Sequence, residues 1–135
     1  MACTETYATL RIFSTDLHPD KIGEILGIVA THTRPLDPDS KYRPRRENHS
    51  WSWETRKKVD STDNVEHLAA VIECLDGRTV ALKQLRDMGC KTDICNYWVS
   101  NGQGGPSLDV DMMGTLHGLG LPIWWDIYFE SEDED

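Results

Sequence analysis

Apolar and polar positions alternate from Tyr7 to Ser14, with Ala8, Leu10 and Ile12 on one side and Tyr7, Thr9, Arg11 and Phe13 on the other. That pattern predicts a strand with one apolar and one mixed face. The period then changes. Pro19 suits a first helical position, Ile22, Ile25 and Leu26 repeat on one side, and Gly27 stands where a helix stops. Ile28 to Arg34 reads as a second, weaker strand, and Pro35 to Asn48, with three prolines among charged residues, as a long irregular loop. Alternation returns from His49 to Arg56, with Trp51, Trp53 and Thr55 on one face and Ser50, Ser52 and Glu54 on the other.

Two helices follow. Val65, Leu68, Ala69, Ile72 and Leu75 keep helical spacing after a Ser61/Thr62 cap, Asp76-Gly77 interrupts, and Ala81, Leu82, Leu85 and Met88 resume it until Gly89. Ile94 to Ser100 predicts a fourth strand. The turn Gly102 to Pro106 leads to a short helix from about Asp109 to His117, and Gly118 and Gly120 precede a last strand, Pro122 to Phe129. Four of the five tryptophans lie in the third and last strands, and Trp51, Trp53 and Trp125 are expected as core anchors. Both ends of the chain share one plan, strand, helix, glycine, strand, which suggests a structural half-repeat. The expected fold is α+β: a two-layer sandwich, a mainly antiparallel sheet of about five strands with helices packed on one face. Residues 1–130 are expected to form a single domain, and 131–135 an acidic disordered tail.

The chain of 135 residues is 39% hydrophobic, enough apolar area to build a core without a staple. The start lacks the basic and apolar regions of a signal peptide and no apolar run approaches a membrane span, so the expected location is cytoplasmic, with no membrane partner. Cys3, Cys74, Cys90 and Cys95 are then expected as free thiols, and Cys90 and Cys95 fall on opposite faces of a strand, poor geometry for a shared metal. Net charge is −9, and it is unevenly placed. Five carboxylates crowd the stretch Glu130 to Asp135, whereas Lys41 to Lys58 holds seven of the fourteen basic residues.

One resemblance covers nearly the whole chain. Leu10-Arg11-Ile12 followed by Asp16-Leu17-His18-Pro19 and Gly27, the Trp51-Ser52-Trp53-Glu54-Thr55 strand, the paired helices and the final Asp126-Ile127-Tyr128 resemble the bacterial family catalogued as domain of unknown function 4279. The resemblance implies no activity. The family tends to place a carboxylate before the helix-opening proline, where this chain has His18. Histidine caps a helix less well than aspartate, which leaves Asp16 as the alternative cap.

Chemistry is sparse. Lys41 to Lys58 interleaves basic residues with Tyr42, Trp51 and Trp53, the ingredients of a groove for nucleic acid, but strand alternation sends both tryptophans to one face and the acidic chain opposes such a partner. Nucleic acid is therefore disfavoured. His18, His32, His49, His67 and His117 are dispersed without metal spacing; His67 is expected on the exposed side of its helix. His49 and Glu54 differ by five along a strand and so cannot converge with Asp126 in a hydrolytic site. The Gly102 to Pro106 turn lacks the Lys-Ser/Thr of a phosphate loop and puts Asp109 where an anion would sit. No catalytic residue, metal site or cofactor is assigned.

Asp126 stands apart, in the most apolar strand with Trp124 and Tyr128 as same-face neighbours. Either it pairs with an arginine such as Arg11 or Arg34, or it forms with Trp124 and Tyr128 the polar centre of an aromatic pocket for a cationic or hydrogen-bonding ligand. The candidate ligand or partner residues are Trp124, Asp126, Tyr128, Arg34 and Arg56. The favoured function is a non-enzymatic binding or protein-interaction domain, in its most specific form an immunity-type protein neutralising a basic partner. The alternative is a small-molecule binder or enzyme using the last strand. Oligomeric state is not legible.

Overall fold

The strand predicted at Tyr7 to Ser14 is longer, β1 at Cys3–Ser14, and its even positions from Thr6 to Ser14 are buried while most odd ones are half-exposed. The computed structural model describes residues 3–130; the acidic tail 131–135 lies outside them. In chain order the other elements are α1 (Pro19–Leu26), β2 (His32–Arg34), α2 (Arg43–Glu47), β3 (His49–Glu54), α3 (Asn64–Cys74), α4 (Thr79–Asp87), β4 (Lys91–Ser100), α5 (Val110–Leu119) and β5 (Ile123–Phe129). The five strands form one mostly antiparallel sheet in the order β2-β3-β1-β4-β5, and the class is α+β. β2 pairs antiparallel with β3, and β5 pairs parallel with β4. Among the described residues no helix is long and apolar enough to cross a membrane.

The chain divides into two compact units. One comprises the described residues up to Thr9, Glu54–Cys74 and those from Ile94 onward; the other comprises Leu10–Trp53 and Leu75–Asp93. In the second, α1 packs on α4 and β2. Its core includes Leu10, Ile12, Ile22, Leu26, Leu82, Leu85 and Trp51, the last only 1% exposed. Gly23 of α1 leaves room for that indole: an added Cβ would lie 3.2 Å from Trp51 Nε1. Arg78 locks the end of α1, its guanidinium donating to the carbonyls of Leu26 (3.1 Å) and Gly27 (3.2 Å). Arg11 and Asp93 form a two-pronged ion pair at 2.7 and 2.9 Å.

In the first unit α3 meets α5, over a core that includes Ala8, Leu68, Val71, Ile94, Trp98 and Leu116. The buried stripe of α3 is Asn64, His67, Leu68 and Val71, rotated from the apolar one expected. His67 is therefore inside, not outside. Its Nε2 lies 2.8 Å from the Ser61 carbonyl and so donates, which leaves Nδ1 to accept from the Thr55 hydroxyl at 2.6 Å. Burial costs little once every polar atom has a partner.

Other boundaries moved for local reasons. The second strand shrinks to three residues because pairing with β3 begins only at His32↔Ser52. The loop Pro35 to Asn48 contains α2, held by an Arg43–Glu47 ion pair of 2.9 Å. His18 does cap α1, its Nδ1 accepting from Asp20 N at 3.2 Å, and Asp16 does not. Asp63 replaces Ser61 and Thr62 at the start of α3, accepting from Val65 N at 3.0 Å. The two ends do share a plan, each helix closing on a left-handed glycine, Gly27 (φ 73°) and Gly120 (φ 68°). Topology ends the likeness: β5 lies beside β4, whereas β3 intervenes between β1 and β2.

β5 departs most from expectation. Trp125 is 40% exposed and Trp124 61%, so neither is a core anchor, and Trp53 is only half-buried. The reason is position: among the described residues β5 is an edge strand, with a neighbour on one side only.

Candidate binding face

The half-exposed side of the first unit's strands gathers most of the residues singled out above. β1 sends Tyr7 there, β4 sends Tyr97, and the parallel register sets Asp126 beside Tyr97 and Tyr128 beside Val99. The three tyrosines form a row. Tyr7 stacks on Tyr97 with centroids 4.8 Å apart, and Tyr97 meets Tyr128 at 5.4 Å. At one end the Arg56 guanidinium lies over Tyr7, 5.3 Å from its centroid, with its Nε 3.6 Å from Glu5. At the other, the Tyr128 hydroxyl donates to Asp126. Cation, three rings and carboxylate thus run in sequence across neighbouring strands.

The row rests on a buried polar clamp. Asn96, fully buried, points its Nδ2 at Thr6 Oγ1 (3.1 Å) and at the carbonyls of Tyr97 (3.0 Å) and Tyr7 (3.4 Å). Its Oδ1 accepts from Asn64, whose side chain also brackets the backbone of Ser107 at 2.7 and 3.0 Å. Thr6 adds a 2.6 Å bond to the Tyr97 carbonyl. One amide therefore ties together the two backbones that carry the stacked rings, and such satisfied networks hold a site rigid.

Electrostatics follow from these neighbours. Hydrogen bonding to Asp126, reinforced by its negative charge, pushes the Tyr128 hydroxyl above its ordinary pKa. Burial raises that of Tyr7, against the pull of Arg56. Both rings present neutral hydroxyls near neutral pH.

Of the sequence candidates, Trp124, Asp126, Tyr128 and Arg56 belong to this unit, and the first three share the face with Tyr97. Arg34 does not join them. It sits on β2 opposite Ser50, in the second unit, lining a cleft of about 230 Å³ with Arg11, Phe13, Tyr42 and Arg45. Arg11 pairs with Asp93, and Asp126 with Tyr128. His49 accepts from Leu36 N at 2.9 Å and serves its own loop. Asp109 caps α5, accepting from Met112 N at 2.7 Å in the place an anion would take. Among the described residues no three His, Cys, Asp or Glu side chains are placed to hold a metal ion. None of the four cysteines is in a disulfide, and burial pushes the Cys90 thiol up. Sequence reasoning missed Tyr7, Tyr97 and Asn96. Their signal was available: tyrosines on the mixed face of the first and fourth strands, with a polar residue on the apolar face between.

The profile of a domain of unknown function (DUF4279) matches residues 4–130. The chain belongs to the DUF4279 family. For this DUF4279 chain no curated protein and no solved structure matches. The matched span takes in every strand but the first residue of β1, and so the whole tyrosine row.

Proposed function

We propose that this DUF4279 chain is a protein-binding domain that takes a basic partner on the open tyrosine face. The carrying observation is the row Arg56–Tyr7–Tyr97–Tyr128–Asp126, preformed and clamped by Asn96, on the half-exposed face of the first unit's strands. Rigid tyrosines give large contact area at small entropic cost, which is why they dominate interface energetics. Glu5, Glu54 and Asp126 lie about the row with Arg56, and the −9 net charge of the chain attracts cationic partners. An immunity-type role is the most specific form of this reading. The small-molecule or enzyme alternative is weaker, because Trp124 and Tyr128 are more than half exposed and a site for a small ligand encloses most of it.

The test compares the native chain with a Tyr97→Ser/Asp126→Lys variant, both immobilised. A basic protein retained in stoichiometric amount by the first, lost by the second and released by salt supports the reading. Equal retention on both, or none on either, ends it.

A further inference from the structure

β5 closes the sheet order, so its far side meets no strand among the described residues. Two hydrogen bonds fix the direction of its backbone groups: Ile94 N donates to the Pro122 carbonyl at 2.9 Å, and Glu130 N donates to the Ser100 carbonyl at 2.7 Å. In a parallel ladder the residues that bond to one neighbour alternate. The even positions from Pro122 to Glu130 therefore bond to β4. The N–H and C=O groups of Ile123, Trp125, Ile127 and Phe129 point away from the sheet.

Natural proteins blunt such edges with charge, proline, bulges or short length. β5 has little of this protection. It runs seven residues with a single charge, and it exposes Trp124, Trp125, Ile127, Tyr128 and Phe129, the last at 68%. Beside it on the helix side lies a hollow of about 290 Å³ whose walls include Met113, Leu116, His117, Leu121, Ile123 and Trp125. A free backbone edge and an apolar receptacle thus adjoin.

Charge decides between two occupants. A second copy, added antiparallel about a two-fold axis, brings Asp126 of each copy to the same side of the joint sheet and opposes two chains of charge −9. Like charges across a strand pair destabilise it. A foreign strand meets a better surface. Along the open side β5 presents Trp124, Asp126 and Tyr128, two ring faces with a carboxylate between them, which suits lysine or arginine.

We infer that β5 receives an extended basic segment of a partner protein as an added strand, paired through the outward backbone groups of Ile123 to Phe129. Lysine or arginine side chains of that segment lie on the Asp126 side, and apolar ones on the Trp125 side, next to the hollow. The inference rests on the protein-binding reading above and adds to it how the partner is held.

The probe is an acetylated, amidated peptide of about nine residues alternating Lys and Val, long enough to span β5. Two further copies are N-methylated, one at every Val and one at every Lys. The peptide binds the full chain, one methylated copy loses more than about tenfold in affinity because its missing donors face β5, and the other binds like the parent. Amide exchange slows at Ile123, Trp125, Ile127 and Phe129 on binding. Ile127→Pro removes an outward donor while sparing the β4 ladder, and lowers affinity about tenfold with circular dichroism unchanged. Equal binding of all three peptides, abolished by Tyr97→Ser/Asp126→Lys, would leave the open-face reading standing and overturn strand addition. Slowed exchange at the four amides in that same variant would support strand addition and remove the open face from the contact. No binding at millimolar peptide overturns the inference, as does a free protein whose four amides are already protected in a dimer.

Discussion

Tyr128 and Asp126 are two residues apart on one strand, and their hydrogen bond makes an exposed phenol behave unlike a free one. Ionising Tyr128 must break a bond it donates and place a second negative charge beside Asp126, so its pKa lies above the ordinary value of about 10. The folded pKa exceeds the unfolded one. Whatever stability the pair contributes is therefore fully present below about pH 10 and is lost as pH rises through the folded value. The expected outcome is a late-titrating phenolate in an alkaline absorbance titration. Tyr128→Phe removes that step, and Asp126→Asn, which keeps an acceptor but not the charge, moves it to lower pH. A Tyr128 step unmoved in Asp126→Asn would show that the carboxylate does not govern the hydroxyl, and the acidic end of the row would lose its anchor.

At the scale of elements, two tryptophan-bearing strands with similar sequence patterns have opposite fates. Trp51 on β3 is sealed beneath Gly23 of α1, whereas Trp125 on the edge strand β5 is 40% exposed. Trp51→Ala is expected to cost about 3–5 kcal/mol in urea unfolding, and Trp125→Ala under about 1 kcal/mol. Comparable losses would mean that the edge strand is covered. Alternation announced both strands, because period 2 depends only on the pleat. It carried no information about how many neighbours each strand has, and an edge strand dressed in Ile, Trp and Phe reads like a central one. The same blindness misled the phase of α3. Val65 and Ile72 drew the expected stripe, but Asn64 and His67 occupy the buried side because Asn96, Ser107, Thr55 and Ser61 supply partners. Those partners come from distant parts of the chain, and no local window shows them. Helix ends were more legible, since Gly27 and Gly120 stop their helices by a backbone conformation that glycine alone adopts freely. For the site, Asp126 and Tyr128 were visible as a polar break in an apolar strand. Tyr7 and Tyr97 could be placed on their strands but not side by side, because 90 residues separate two rings that only sheet pairing brings to 4.8 Å.

For the molecule as a whole, the net charge of −9 and the exposure of the β5 indoles have a joint consequence that small ions report. Trp51 and Trp98 are buried, so collisional quenching falls mainly on Trp124 and Trp125, with a lesser part from half-buried Trp53. Asp126 directly follows those two indoles, and five more carboxylates lie between Glu130 and Asp135 in the sequence. At low ionic strength a cation is enriched there and an anion depleted. Caesium is therefore expected to quench native fluorescence more efficiently, relative to its quenching of free N-acetyltryptophanamide, than iodide does relative to its own. The gap should close as added salt shortens the Debye length to a few ångströms near about 1 M. Asp126→Lys narrows the gap at low salt, and Trp124→Phe/Trp125→Phe together remove most of the quenchable emission. This experiment separates the two ingredients of the binding proposal without needing the partner. Equal quenching by both ions, each normalised to its quenching of free N-acetyltryptophanamide at the same ionic strength, would show that the edge strand carries no useful negative potential, and a basic segment would have no electrostatic reason to arrive there. Weak quenching by acrylamide itself would show instead that the indoles are covered, and the free edge of β5 would be lost with them.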